Sequence, residues 1–167
     1  TLFNLLMLRL FDPGFPLPGA VMSDLSLVQY RSYADLPQSA ALRARLEREQ
    51  GAHLRDAVHL IAVQSADGSL VVGDSHHYST TPDPFAATEI DRLVLDEFAQ
   101  VFGRPAPPFV ERWTGTYSSA AEDMFMDTPE PGVRLVMVTS GTGASTAFAI
   151  AEETIADLYG EKFGAST

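Results

Sequence analysis

The stretch that decides the fold of this chain is HLIAVQSADGSLVVGD, residues 59–74. Two apolar runs, at residues 60–63 and 70–72, flank a polar turn at Asp67-Gly68. Short apolar runs separated by an Asp-Gly dipeptide are typical of a β-hairpin. The stretch therefore predicts two paired antiparallel strands, around which the neighbouring elements are expected to assemble.

Two more strands and one helix are predicted on the N-terminal side of this hairpin. The apolar run at residues 5–10 predicts a strand that ends at a loop rich in Pro and Gly. Residues 23–30 predict a second strand. Residues 37–50 are rich in Ala, Leu, Arg and Glu and precede Gly51, a pattern that predicts an amphipathic helix with a solvated, charged face.

A covering helix and three strands are predicted on the C-terminal side. Apolar residues recur every three or four positions between Ile90 and Phe102, and Thr88 with Asp91 has the spacing of a capping box. Strands are predicted over residues 110–117, 124–126 and 133–139. The last of these strands is the most apolar and is expected to be central.

The chain is predicted to end in a strand, a Gly-rich turn at residues 140–145 and a helix that stops at Gly160. The element order indicates an α+β fold. We expect a mixed, largely antiparallel sheet with helices on one face, plus this C-terminal strand, turn and helix.

The composition excludes several classes of protein. The chain has 167 residues, 11 Lys and Arg against 22 Asp and Glu, and a formal net charge of −11, which argues against nucleic acid and anionic membranes as partners. No cysteine is present, so disulfides and thiolate chemistry are excluded. The apolar run at residues 2–11 is too short to span a membrane and lacks the features of a signal peptide. We expect a cytoplasmic location and, because the chain begins with Thr inside a strand-like run, a truncated start.

Three local patterns could carry chemistry. The turn around Gly141 and Gly143 offers unpaired amides and a helix dipole to an electron-rich group, although such a turn taken alone is more often an ordinary tight connection. Adjacent His76 and His77 would point to opposite sides of an extended chain, so at most one is expected to line a given cleft. Gly115 between two aromatic residues, Trp113 and Tyr117, leaves either a slot for a flat ligand or a packed bend of the sheet.

No metal site is predicted from the histidines. A site with two histidine ligands would need a spacing other than that of the adjacent pair, or partners brought from elsewhere in the chain. We expect His53 and His59 to be structural.

Three motifs in register carry a family resemblance: LVVGDSH at residues 70–76, WTGTY at 113–117 and SGTG at 140–143. With these motifs the chain resembles, over nearly its whole length, the C-terminal half of the D-amino-acid oxidase superfamily of flavoenzymes, which includes glycine oxidase and sarcosine oxidase. Within that superfamily it is most similar to a branch associated with organophosphonate breakdown.

The resemblance implies a substrate-binding-type domain at residues 1–132 and, at 133–167, a strand, turn and helix that return to the FAD-binding domain. It also implies that the dinucleotide-binding N-terminal half is absent from this chain. His76 and Tyr117 match catalytic positions near the flavin and the substrate, and Arg9 and Trp113 are expected to line the substrate. The implied FAD-binding residues are Ser140, Gly141, Thr142, Gly143, Ala144 and Ser145.

Departures from the family pattern alter the expected chemistry. Tyr117-Ser-Ser replaces the Arg that binds the substrate carboxylate, so an aminophosphonate is expected in place of an α-amino acid. No Cys stands near Gly115, so FAD should be bound non-covalently. Thr142 and Ser145 replace a His and a Lys, which removes a local cation.

The resemblance predicts part of a flavin-dependent amine oxidoreductase that acts on a small amine. As an isolated chain it is expected to be inactive, to lack bound FAD and to self-associate, because the missing N-terminal half would leave apolar surface uncovered. The alternative is a binding or assembly module that keeps the fold without the redox half.

Overall fold

The computed structural model of the chain describes residues 1–160 and divides them into two compact units. The first unit is Leu2–Thr116, and the second consists of Thr1 with the chain from Tyr117 onwards. The division lies between Thr116 and Tyr117, whereas the family resemblance implied a boundary after Gly132. Both helices and antiparallel strands are present, so the predicted α+β class is confirmed.

The first unit is built on a six-stranded sheet. Its elements in chain order are β1 (Leu2–Leu10), β2 (Val21–Met22), α1 (Asp24–Gln29), α2 (Arg31–Ala34), α3 (Ser39–Glu49), α4 (Gly51–Arg55), β3 (Ile61–Gln64), β4 (Leu70–Gly73), β5 (His77–Ser79), α5 (Thr88–Phe102) and β6 (Phe109–Ser118), the last of which continues into the second unit. The order of strands is β2-β3-β4-β1-β5, and β6 also pairs with β1. The predicted hairpin is confirmed as β3 and β4, with Gly68 of its turn at φ +86°.

The ladder on β1 is offset by one residue between β4 and β5. Met7 of β1 lies opposite Gly73, whereas Asn4 lies opposite His77. The three-residue interval from Met7 to Asn4 therefore faces a four-residue interval from Gly73 to His77. One extra residue in one strand of an antiparallel pair is a β-bulge, which changes the direction of nearby side chains. The bulged segment is residues 74–76.

The core of the first unit lies between the sheet and α5. Alternate residues of β1, Leu6, Leu8 and Leu10, are buried on one face, as the period of two along a strand requires. The apolar face of α5 covers them, and Phe98 at its centre is fully buried. The predicted covering helix between Ile90 and Phe102 and its position on the sheet are therefore confirmed.

Two local predictions on the first unit are wrong. Residues 23–30 form α1 and not a strand, because Leu25, Ser26 and Val28 are buried at helical spacing, and Leu25 and Val28 pack with Leu46 of α3 in a second small core. The capping box at Thr88 is also wrong. Ala87 is the N-cap of α5, and no side chain caps it.

The second unit contains β7 (Met124–Asp127), β8 (Leu135–Val138) and α6 (Gly143–Tyr159). β7 and β8 form a two-stranded antiparallel sheet, so the expectation that β8 is a central strand is wrong for the described residues. α6 ends as predicted, with Gly160 in the left-handed conformation at φ +67°. The apolar residues of β8 and α6 line an open groove of about 360 Å³. No helix within residues 1–160 is long and apolar enough to cross a membrane.

Candidate functional site

The predicted site residues fall in both units. Arg9, His76 and Trp113 belong to the first unit, whereas Tyr117 and the turn at residues 140–145 belong to the second. Within the first unit the structure records no hydrogen bond, ion pair or ring contact that joins Arg9, His76 and Trp113 to one another. It does surround His76 with polar side chains that the sequence reading did not single out.

A buried cluster of His59, Asp74 and His76 lies at the bulge between β4 and β5. His59 Nε2 is 2.8 Å from Asp74 Oδ1, and His76 Nε2 is 3.4 Å from Asp74 Oδ2. The backbone explains the first contact. The amides of His59 and Asp74 each donate to the other's carbonyl oxygen, at 3.0 and 2.7 Å, so the two residues face each other across the extended hairpin.

The other nitrogen of each imidazole also has a partner. Ser26 Oγ of α1 lies 3.2 Å from Nδ1 of His59. The side-chain amide of Gln29 lies 3.2 Å from Nδ1 of His76, and the hydroxyl of Tyr78 lies 3.4 Å from the same atom. Because Ser26 and Gln29 both belong to α1, this helix, predicted as a strand, holds both rings in place.

The electrostatics of the cluster favour a charged carboxylate. Burial opposes ionisation of Asp74, but the two imidazoles outweigh burial and lower the pKa of Asp74 to about 2. Burial, followed by the negative charge of Asp74, raises the pKa of Tyr30 to about 12. The same two causes raise the pKa of Tyr78. Asp74 is thus anionic at neutral pH, and the two phenols remain protonated.

Aromatic rings enclose His76 and His59. The ring of Phe3 lies 4.8 Å from that of His76, and Tyr30 contacts His59 edge-on at 5.3 Å. The rings of His59 and His76 are themselves 5.3 Å apart in a T-shaped arrangement. The side chain of His59 is only 1% exposed, and those of Asp74 and His76 are each 12% exposed. Solvent therefore reaches the cluster from the Asp74 and His76 side.

His77 faces the opposite side of the strand, as the adjacent pair predicts. It lies opposite Asn4, and both line a pocket of about 370 Å³ beside the N-terminus of α5. Three carboxylates also line this pocket, those of Asp56, Asp83 and Glu89. His76 is not among the lining residues, so the two histidines occupy separate environments.

Arg9 is held by neighbouring acidic side chains. Its guanidinium contacts Asp67 at 2.5 Å and Glu111 at 3.2 Å, and it also donates to Ser69 Oγ. The contact with Glu111 places Trp113, two residues further along β6, on the same face of the sheet as Arg9. Trp113 is 41% exposed there. The charge of Arg9 is thus already balanced by two carboxylates.

The turn before α6 has the exposed helix N-terminus that the sequence predicted. Thr142 is the N-cap, no side chain caps the helix, and no acidic residue lies in its first turn. The hydroxyls of Ser140 and Thr142 bond each other at 2.8 Å, and Ser145 Oγ donates back to the Thr142 carbonyl. The first amides of α6 therefore remain open to an external acceptor.

Gly143 allows α6 to approach β8 closely. A Cβ atom at Gly143 would lie 3.4 Å from Val138 Cβ, at the lower limit of ordinary van der Waals contact. Alanine would thus just fit at this position, whereas a larger side chain would press on Val138. Tyr117 lies at the end of β6 and is exposed.

The sequence reading missed His59, Asp74, Ser26 and Gln29. A signal was present for two of them, because His59 and Asp74 stand at the two ends of the predicted hairpin and are therefore close in space. Their direct pairing was not predictable, since the register of β3 and β4 alone would set His59 opposite Ser75. The other two were hidden by the incorrect assignment of residues 23–30.

Comparison with known proteins yields no relative from which a function could be transferred. The chain matches none of the protein-family models, curated proteins or solved structures with which it was compared.

Proposed function

We propose that this chain forms the substrate-domain part of a flavin-dependent amine oxidoreductase. The observation that carries the proposal is the uncapped N-terminus of α6, which directly follows β8 and the glycine turn. Its amides and dipole suit an electron-rich oxygen, and the pyrimidine carbonyl of a flavin is such an acceptor. The motif resemblance at residues 70–76, 113–117 and 140–143 supports the same assignment.

The donor set fits FAD bound without a covalent link. The amides of residues 141–144 would hold the pyrimidine edge, and the absence of acidic side chains from the first turn of α6 favours negative charge there. When bound, FAD supplies the chemistry of accepting a hydride from the substrate Cα–H and passing the electrons to dioxygen. The chain contributes binding, orientation and electrostatics.

His76 has the contacts of a residue that holds or moves a proton. Asp74 lies beside Nε2, while Gln29 and Tyr78 lie beside Nδ1, so the ring is fixed at both nitrogens. A fixed orientation is what a residue in proton transfer requires. Tyr117 is 52% exposed, and its hydroxyl would provide one neutral donor to the substrate.

The substrate proposed is a small primary or secondary amine that bears a phosphonate. Tyr117-Ser-Ser offers no bidentate partner for a carboxylate, so simple α-amino acids should be held poorly. Arg9 can contribute to phosphonate binding only by exchanging Asp67 or Glu111 for the substrate. Both are surface ion pairs of low net stability, so this exchange would cost little.

The test uses the protein expressed from the start codon of its own reading frame. It should purify with FAD, release all of it on acid precipitation, and oxidise an aminophosphonate with a higher kcat/KM than glycine, sarcosine or D-alanine. Tyr117→Phe should lower that kcat/KM about tenfold, as expected for one lost hydrogen bond. Equal turnover of D-alanine would refute the substrate class.

The isolated 167-residue chain should differ from the longer protein in its flavin content and in its self-association. Residues 1–167 should be colourless and should self-associate in light scattering, because they contain no dinucleotide-binding glycine motif for the pyrophosphate of FAD and the groove on β8 and α6 is open. A yellow chain with stoichiometric FAD would contradict this expectation. If the longer protein folds yet binds no flavin, the alternative of a binding or assembly module replaces the proposal.

A further inference from the structure

Three nitrogen and oxygen donors from three backbone positions converge at the bulge. One ligand atom from each of His59, Asp74 and His76 lies within 4.8 Å of the other two. No other group of three or more His, Cys, Asp or Glu side chains with this arrangement occurs among residues 1–160. Two imidazoles and one carboxylate are a donor set that binds divalent transition metals in proteins.

Hydrogen bonding does not fully account for the contact between His59 and Asp74. Nε2 and Oδ1 are 2.8 Å apart, yet both are buried and neither has an aligned hydrogen-bond partner within the described part of the chain. The 3.4 Å separation of His76 Nε2 from Asp74 Oδ2 is also longer than an ordinary N–H···O bond. A cation bound by these atoms would satisfy both imidazoles and the carboxylate.

The polar side chains that contact the Nδ1 atoms of His59 and His76 suit metal ligation through Nε2. A metal-binding imidazole donates its second ring N–H to a neighbour, which fixes the tautomer and the ring direction. Ser26 Oγ can accept from Nδ1 of His59, and it lies 3.4 Å from the Leu60 carbonyl, to which its own hydroxyl can donate. The Tyr78 hydroxyl can accept from Nδ1 of His76, whereas the Gln29 side chain presents its Nε2 to this atom and can accept only after its amide group turns over. Both Nε2 lone pairs are then directed to the Asp74 side.

We propose that His59, Asp74 and His76 form a binding site for one divalent transition-metal ion, with Zn²⁺ as the ion that the donors suit best. Zn–N and Zn–O bonds are about 2.0–2.2 Å long, which sets tetrahedral ligand atoms about 3.4 Å apart. A donor pair at the 4.8 Å limit must therefore close by more than about 1 Å, whereas the 2.8 Å pair of His59 and Asp74 must open slightly. Asp74 and His76, each 12% exposed, lie nearer to solvent than His59 and can make this movement. Three protein ligands leave a fourth position for water or another small ligand.

The proposal is independent of the flavin. It uses only residues of the first unit, and its test needs no redox activity. The same Nε2 atom of His76 cannot serve a bound metal and a proton at once. Zinc should therefore inhibit the longer protein if His76 has the proton-transfer role proposed above.

Calorimetric titration of the chelator-treated 167-residue chain with Zn²⁺ tests the site. We expect one equivalent to bind in the micromolar range or tighter. His76→Gln and Asp74→Asn should each weaken binding at least 100-fold. His77→Gln is the matched control, because it removes the adjacent imidazole on the other side of the strand and should leave the affinity within about twofold.

A second measurement separates the site from binding at surface carboxylates. Co²⁺ should give a visible absorption spectrum that saturates at one equivalent, that Zn²⁺ abolishes and that His76→Gln lacks, whereas excess Ca²⁺ should not displace it. Circular dichroism confirms that each variant is folded. Absence of one-equivalent binding, full affinity in His76→Gln, or equal loss in His77→Gln would each refute the proposal.

Discussion

Asp74→Asn should destabilise the first unit at neutral pH and have no effect in strong acid. The pKa of Asp74 is lowered from 3.8 to about 2 in the folded chain. One pKa unit corresponds to about 1.4 kcal/mol, so the ionised carboxylate contributes about 2 kcal/mol to the free energy of unfolding. The contribution is complete above about pH 5, is lost as the pH falls through the folded pKa, and is nearly absent at about pH 1.

Urea unfolding followed by tryptophan fluorescence measures this difference, because the only tryptophan, Trp113, lies in the first unit. The control is Asp96→Asn on α5, whose carboxylate pairs with Arg92 at the surface and should cost only about 0.3–0.5 kcal/mol. The reasoning fails if Asp74→Asn matches this control at pH 7, or if its full deficit persists at pH 2.

Three further outcomes follow from the same structure. Phe98→Ala should cost about 3–5 kcal/mol in the same assay, because the ring is fully buried under the sheet; a loss below 1 kcal/mol would contradict the position of the core. Burial raises the pKa of Glu97, so its ionisation opposes folding as the pH rises, and the stability of Glu97→Gln relative to the wild type should increase between pH 4 and 7. Gly143→Val should force α6 away from Val138 and lower the thermal stability of the second unit by about 1–3 kcal/mol, more than Gly143→Ala does, as read by circular dichroism. In the flavin-bound protein it should also weaken FAD binding, and unchanged affinity would remove the turn from the flavin site.

The sequence predicted those elements whose hydrophobic period is regular. The hairpin at residues 59–74 and the helix α5 were identifiable because alternation or three- and four-residue spacing is continuous along them. Residues 23–30 were misassigned since a six-residue helix such as α1 carries less than two turns of pattern, and its burial depends on contacts with α3.

The candidate site was only partly accessible to the same reasoning. His76 stood out because of its motif, but its neighbours are brought together by tertiary structure. His59 reaches Asp74 through strand pairing, and Gln29 reaches His76 across 47 positions of sequence. Local spacing carries no information on such contacts. That His59 contacts His76, and not the adjacent His77, is therefore visible only in the fold.

The one-residue offset between Met7–Gly73 and Asn4–His77 makes Ser75 a spacer. Removing this buried serine would restore a regular ladder and leave Asn4 opposite His77. In that shortened strand Asp74 and His76 would be consecutive, and consecutive side chains project from opposite faces. A deletion of a single codon would thus separate the carboxylate from the imidazole without breaking the sheet, so the length of this segment, as much as its residue types, determines whether the cluster exists.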